Sequence, residues 1–142
     1  MNYQKMETIS ISTRVQAPIE KVWEFWTKPA HIVNWNFASD DWCCPHATND
    51  LAPQKKFSWR MESEDGKIRF DFEGIYDQID EHQLIRYHLE DGRNVEIQFI
   101  QKEDEIEMRE NFETEDQHTA EQQRAGWQAI LENFKKYVES RN

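Results

Sequence analysis

The amino-acid sequence predicts an α+β fold in which a curved antiparallel β-sheet wraps around a long C-terminal helix. Polar and apolar residues alternate through several segments between residues 57 and 113, which is the period of strands with one buried face. From Thr119 to Ser140, apolar residues instead recur every three or four positions, as on one face of a helix. Because 142 residues suit one domain, this helix has to pack on the dry face of the sheet. We therefore expect a single domain over residues 1–142, with its core at about 8–139.

The N-terminal part predicts a strand followed by one or two short helices. Apolar residues share one parity within residues 8–15, which indicates a strand. Pro18 suits the first turn of a helix, where its missing N–H is not needed, and the apolar stripe of that helix extends to Trp26. Pro29 ends this helix or begins a second short helix that continues to Trp35.

Residues 36–56 form the least regular stretch, and we predict a loop with room for one short edge strand. Alternation resumes after it and predicts an antiparallel meander of about five strands. The alternating segments are 57–62, 68–76, 85–90, 95–99 and 106–113. Asp65-Gly66 and Asp91-Gly92 predict two-residue hairpin turns of type I′, which need positive φ at both central positions. Gly74, inside a strand pattern, predicts the bulge or bend that a curved sheet requires.

The last element predicts a long amphipathic helix with a capping box. Thr119 can accept a hydrogen bond from a backbone N–H, and the Gln122 side chain can reach back to the N-cap. The apolar stripe consists of Trp127, Ile130, Leu131, Phe134, Tyr137 and Val138. A sheet wrapped around such a helix is the helix-grip arrangement.

Composition excludes several classes of function. The chain has 17 Lys and Arg against 28 Asp and Glu, a formal net charge of −11, which argues against nucleic-acid partners and anionic membranes. Its four glycines cannot supply a dinucleotide-binding or P-loop motif, so no cofactor is predicted. No apolar run suits membrane insertion or a secretory signal. The adjacent Cys43 and Cys44 cannot form a disulfide framework, and the cytoplasm is the expected location.

The run from Cys43 to His46, with Asp40 and Asp41 upstream, is a weak candidate for a metal site. Structural zinc sites usually separate two cysteines by two to four residues so that both thiolates reach one ion. Adjacent cysteines fit this geometry poorly, and no metal is predicted. A redox role would need an exposed thiol with a low pKa.

Residues 17–23 (APIEKVW), Trp26-Thr27, Trp35 and residues 126–137 (GWQAILENFKKY) resemble the Hsp90-ATPase-activator-homologue-like branch of the START/Bet v 1 superfamily. The resemblance extends from about Thr8 to Glu139. It implies a helix-grip fold with an elongated apolar cavity between the sheet and the C-terminal helix. Members of the superfamily carry lipids, sterols, polyketides or other hydrophobic molecules, and a few catalyse cyclisation or dehydration of such ligands.

The aromatic side chains of the sheet and helix are the candidate ligand-binding residues. They are Trp35, Trp59, Phe70, Phe72, Tyr76, Tyr87, Phe99, Trp127, Leu131 and Phe134, of which only Leu131 is aliphatic. They would form either the wall of an apolar pocket or an ordinary close-packed core, and part of the set is core in either case. Phe37 and Trp42, within residues 36–56, are expected at the mouth of the cavity.

Glu110 is the one candidate for chemistry. It is in phase with Ile106, Met108 and Phe112, so it should face the dry side of the sheet. Burial would raise the pKa of this carboxyl group and suit it to act as a general acid or to orient a ligand. The alternative is a bulge in the strand, or a position at the open end of the sheet in water.

Three functions follow as hypotheses. The first is non-catalytic binding of a small hydrophobic or aromatic ligand, such as a lipid, a polyketide or an aromatic metabolite. The second is an interaction module that contacts a chaperone, in the manner of an Hsp90 regulator. The third is a cyclase- or hydrolase-type enzyme that uses Glu110 as acid or base.

Overall fold

The computed structural model describes residues 7–141, so most of the N-terminal stretch considered above for a secretory signal lies outside the described residues. The elements in chain order are β1 (Thr8–Val15), α1 (Ile19–Thr27), α2 (Pro29–Trp35), β2 (Trp42–Asn49), β3 (Lys56–Ser63), β4 (Arg69–Asp80), β5 (Leu84–Leu89), β6 (Asn94–Gln101), β7 (Ile106–Glu113) and α3 (Ala120–Glu139). None of the helices in this part of the chain is long and apolar enough to cross a membrane.

The strands form one curled antiparallel sheet in the order β1-β7-β6-β5-β4-β3-β2. Strands β2 to β7 are a meander, and the N-terminal strand closes the other edge by pairing with the last one, from Thr8 opposite Glu113 to Val15 opposite Ile106. The predicted α+β fold, with short helices after the first strand and a long helix at the end, is confirmed.

Helix boundaries follow the sequence signals. Pro18 is the N-cap of α1, and Pro29 begins α2. At the N-terminus of α3 the predicted capping box is present, because Thr119 Oγ1 accepts from the Gln122 N–H at 3.0 Å and Gln122 Oε1 accepts from the Thr119 N–H at 3.0 Å. The buried side of α3 packs Leu131, Phe134 and Val138 into the core.

Strand β2 lies in the stretch that the sequence predicted as a loop with room for one short edge strand. It is an edge strand of eight residues paired with β3, and its register shifts between Cys43 and His46. Pro45 lies at this shift, and because proline lacks an N–H it is tolerated at edges and irregularities of a sheet. The proline and the interrupted alternation explain why the sequence did not indicate the length and bounds of this strand.

The predicted type I′ turns are wrong. Gly66 and Gly92 have φ of 73° and 88°, but among the described residues only Gln54 and His82 are non-glycine residues with positive φ, so Asp65 and Asp91 do not have the required conformation. Each aspartate instead accepts a hydrogen bond from the backbone N–H two residues later. The loop between β5 and β6 has three residues and ends on Gly92, whose φ is positive. Three-residue loops of this kind are a common alternative to two-residue hairpin turns.

Gly74 is required for close packing. A Cβ atom at this position would lie 2.6 Å from Phe57 Cζ and 2.7 Å from the His88 carbonyl oxygen. The register shift between β4 and β5 falls farther along the strand, between Tyr76 and Gln78, so the predicted bulge is not at Gly74 itself.

Candidate ligand cavity

A cavity of about 250 Å³ lies between the inner face of the sheet, α3 and the segment that joins α2 to β2. Its lining is mostly aromatic and includes one carboxyl group. The lining residues are Trp26, Trp35, Asn36, Ala38, Trp59, Met61, Phe70, Phe72, Tyr87, Glu110, Gly126, Trp127 and Ile130. The Phe70 side chain is both part of this wall and 46% exposed, so it marks the side where the cavity meets solvent.

The structure brings six of the ten predicted wall residues together at this cavity. They are Trp35, Trp59, Phe70, Phe72, Tyr87 and Trp127. The other four are buried elsewhere in the core and do not line the cavity: Tyr76, Phe99, Leu131 and Phe134.

The two short helices explain this division. Trp23 and Trp26 of α1 pack edge-on against the Phe99 ring, with centroid distances of 5.2 and 6.4 Å. Phe134 is likewise edge-on to Trp26 and Trp35, at 4.9 Å from each ring. Helices α1 and α2 therefore fill one end of the space between sheet and α3, and the cavity occupies what remains.

Neither residue predicted at the mouth lines the cavity. The Trp42 ring contacts Phe70 edge-on at 6.1 Å between centroids, and so lies beside the exposed side of the wall. Phe37 is half-buried against the core. Its neighbours Asn36 and Ala38 line the cavity instead.

Several lining residues were absent from the sequence-based set. Met61 continues the parity of Trp59 on β3, and Ile130 and Gly126 lie on the same side of α3 as Trp127, so periodicity was a sufficient signal for them. The remaining three are Trp26, Asn36 and Ala38. Asn36 carries no sequence signal, because its position depends on how the chain leaves α2.

Stacked rings fix the walls of the cavity. Trp127 stacks on Phe112 with centroids 4.1 Å apart and planes 8° from parallel. Trp26 stacks on Trp35 at 4.8 Å. Trp59 contacts the Phe72 ring at 5.6 Å in a stacked arrangement. Such pairs stabilise beyond their buried area and restrict the rotation of each ring.

Glu110 points into this aromatic cavity from the middle of β7. Its neighbours across the strands are Ile11 on β1 and Ile97 on β6, and its side chain is 5% exposed. No described residue forms a hydrogen bond or an ion pair with the carboxyl group. Burial raises its pKa from the ordinary 4.5 to about 8, because the charged form loses its hydration. The carboxyl group is therefore mostly protonated at neutral pH.

Three other polar groups belong to the wall. The indole N–H of Trp59 is buried and has no acceptor among the described residues. Burial, followed by the nearby charge of Glu110, raises the pKa of Tyr87 well above its ordinary value, so its hydroxyl group stays protonated. The Asn36 amide donates weakly to sulfur, at 3.7 Å from Met61 Sδ and 4.0 Å from Cys44 Sγ.

Neither cysteine lines the cavity, although Cys44 Sγ lies 4.0 Å from the amide nitrogen of Asn36. Burial raises the pKa of Cys44 to about 11, and burial together with Glu64 and Glu62 raises that of Cys43. Both thiols are therefore protonated at neutral pH, which opposes thiolate reactivity. Across residues 7–141, no group of three or more His, Cys, Asp or Glu side chains is placed to hold a metal ion.

Residues 16–139 match the family described as Activator of Hsp90 ATPase homolog 1-like protein. The AHSA1-like protein from Aeromonas hydrophila is 38% identical, with a TM-score of 0.89 over 94% of this chain and 93% of that chain. A protein of Cytophaga hutchinsonii is 43% identical, with a TM-score of 0.82 over 94% of this chain and 93% of that chain. The chain matches no curated protein. A protein of Nitrosomonas europaea shares the fold alone, at 14% identity and a TM-score of 0.78 over 94% of this chain and 95% of that chain. This chain therefore belongs to the Activator of Hsp90 ATPase homolog 1-like family.

Proposed function

We propose that the protein binds a small hydrophobic molecule with an aromatic ring in the cavity between the sheet and α3, without a catalytic step. The cavity itself supports this function. Protein interiors are close-packed and contain few voids larger than a water molecule, which occupies about 30 Å³ in the liquid. A space of about 250 Å³ bounded by aromatic rings is far larger than one water molecule and lies just below the usual volumes of ligand pockets, and this is the observation that supports binding.

The volume limits the size of the ligand. A dry cavity of about 150 Å³ can hold benzene, whereas drug-sized ligands occupy roughly 300–1,000 Å³. A cavity of about 250 Å³ therefore suits one or two fused rings. Within the START/Bet v 1-like fold, this chain would take an aromatic metabolite in preference to a sterol or a long lipid.

The glycine at position 126 favours a cavity that is kept open for binding, because local packing does not require a glycine there. A Cβ atom built at this position meets no atom within 4 Å. Glycine inside a helix is less favourable than alanine by about 0.5–1 kcal/mol. Its missing side chain leaves the helix wall of the cavity open, at a cost to the stability of α3.

The test is to fill the cavity from this position. Gly126→Leu should abolish the binding of 2-naphthol. Binding is measured by tryptophan fluorescence and by the indole N–H resonances of Trp59 and Trp127. Gly126→Ala is the matched control: it should keep binding and raise stability by about 0.5–1 kcal/mol. Unchanged affinity in the leucine variant, or no response of the wild-type protein at millimolar 2-naphthol, would count against the proposal.

Acid catalysis by Glu110 is a second candidate, favoured by one observation. A carboxyl group that is protonated at neutral pH and lines an open cavity meets the geometric requirement for a general acid. If a ligand found by such titrations is also converted, Glu110→Gln should remove turnover and retain binding. Turnover that survives this substitution would exclude the role.

A further inference from the structure

We propose that the ligand is a small organic cation, in which an ammonium group pairs with the Glu110 carboxylate and an apolar ring lies against the aromatic walls. This inference rests on the proposed binding function and names the chemical class of the ligand.

The Glu110 carboxyl group has no hydrogen-bond or ion-pair partner among the described residues. Its side chain is 5% exposed and lies opposite Ile11 and Ile97, neither of which can donate a hydrogen bond from its side chain. A buried carboxyl group without a partner is unfavourable in either protonation state. The cavity is the direction from which a partner can come, since Glu110 lines it.

The ionisable groups of the cavity wall favour a cationic ligand over an anionic one. Within the described part of the chain, Glu110 is the one carboxylic acid of the lining, and no Lys, Arg or His lines the cavity. A carboxylate or phosphate ligand would meet an acidic group with no compensating cation. An ammonium group would instead neutralise the charge of Glu110, and a low dielectric constant strengthens the Coulomb attraction between the two groups. The formal net charge of −11 also favours the approach of cations.

The aromatic rings of the lining also favour a cationic ligand. Trp, Tyr and Phe rings attract cations to their faces, and most strongly at desolvated sites. Seven rings line the cavity: Trp26, Trp35, Trp59, Phe70, Phe72, Tyr87 and Trp127. A carboxyl group among aromatic rings is the combination that recognises ammonium ligands while an attached ring provides apolar contact.

A cationic ligand gives a distinctive pH dependence. Pairing needs the ionised form of Glu110, whose pKa burial raises to about 8, so binding of an ammonium ion near neutral pH releases one proton. Affinity should rise about tenfold per pH unit between roughly pH 6 and pH 7.5, and then level off. A neutral ligand that accepts a hydrogen bond from the protonated acid would show constant affinity in this range and a loss above about pH 8.

Among the described residues that face Glu110, no other group should change the pH dependence of ligand affinity near neutral pH. Tyr87 on β5 is the one other titratable residue of the lining among residues 7–141, and its pKa lies well above its ordinary value. The remaining lining residues on α1, α2, β3, β4 and α3 do not titrate. On β7, Met108 and Phe112 share the inner face with Glu110, and they do not titrate either.

The experiment compares three probes with the same ring: 2-phenylethylamine, 2-phenylethanol and 3-phenylpropionate. At about pH 8, where the alkylamine is protonated, it should bind at least about tenfold more tightly than the alcohol, and the carboxylate should bind least. Glu110→Gln should reduce amine affinity to that of the alcohol and leave alcohol binding intact, which also shows that the site is folded. Glu73→Gln, on the outward-facing side of β4, is the matched control and should behave as wild type.

Alcohol binding as tight as amine binding, or amine affinity that does not rise with pH, would overturn the cationic ligand and leave the proposed binding function standing. An amine preference that persists in Glu110→Gln would do the same. If none of the three probes binds at millimolar concentration, both the inference and the binding function for ring-sized ligands are wrong.

Discussion

At the scale of single residues, Glu110 is 5% exposed, and burial raises its pKa from 4.5 to about 8. Between these two values the folded protein holds a proton that the unfolded chain releases, so the free energy of unfolding falls as pH rises from 4.5 towards about 8, and ionisation of this residue costs nothing below pH 4.5. A shift of this size corresponds to several kcal/mol, at about 1.4 kcal/mol per pKa unit.

Glu110→Gln, which cannot ionise, should remove this dependence. We expect the variant and the wild-type protein to have similar free energies of unfolding near pH 5, and the variant to be more stable by several kcal/mol near about pH 9. Urea denaturation at both pH values measures the difference. A wild-type-to-Glu110→Gln difference that stays constant with pH would mean that the carboxyl group is hydrated in the folded protein.

Two glycines respond oppositely to the same substitution. Gly74→Ala should destabilise the protein by about 1–3 kcal/mol, because the new methyl group would lie 2.6 Å from the Phe57 ring and 2.7 Å from a backbone oxygen. Gly126→Ala, with open space around its Cβ, should stabilise it by about 0.5–1 kcal/mol. Urea midpoints of the two variants compare these effects. Destabilisation of both would show that Gly126 has a packing role.

At the scale of elements, the N-terminus of α3 depends on its capping box. Thr119→Ala removes the acceptor of the Gln122 N–H and should lower the free energy of unfolding by about 1 kcal/mol. Thr119→Ser keeps a hydroxyl group and should lose much less. Thermal unfolding at one pH measures both variants. Equal losses would mean that the methyl group of Thr119, and not its oxygen, provides the stabilisation.

Most elements were predictable because local patterns alone determine them. A period of two identified the strands from β3 to β7, and the capping residues with a helical period identified α3. Strand β2 was not predictable in the same way, because its hydrogen bonds come from β3 and Pro45 interrupts its alternation. The prediction of the hairpin turn type was wrong for another reason. An Asp-Gly pair is compatible both with a two-residue turn and with a longer loop that ends on a glycine with positive φ.

For the candidate site, the sequence indicated which side chains face the inside of the sheet, but not where along the inner face the cavity lies. Parity indicates which side chains point inward, and it placed Glu110 and Trp59 on the dry face, where the structure has them. Parity does not indicate which end of that face α1 and α2 cover. Phe99 and Phe134 therefore have the same pattern as cavity residues but pack against Trp26.

At the scale of the whole molecule, the sheet joins the two ends of the chain. Pairing of β1 with β7 brings Ile11 beside Glu110, and residues of α3 then cover the inner face of these strands. The cavity is lined by residues from α1, α2, β3, β4, β5, β7 and α3, so it is complete only when most of these elements have assembled. Binding of a ligand should consequently stabilise the entire fold rather than one region.

The partly exposed ring of Phe70 has a consequence for the rate at which a ligand would leave. Phe70 belongs to the cavity wall, yet it lies near the tip of the β3–β4 hairpin beside Ile68, which is 54% exposed. Rotation of an exposed side chain takes picoseconds to nanoseconds and movement of a hairpin tip takes nanoseconds to microseconds, whereas opening a packed sheet is far slower. Residence time in the cavity would therefore be governed by local motion at this hairpin, and exchange with water would not require unfolding.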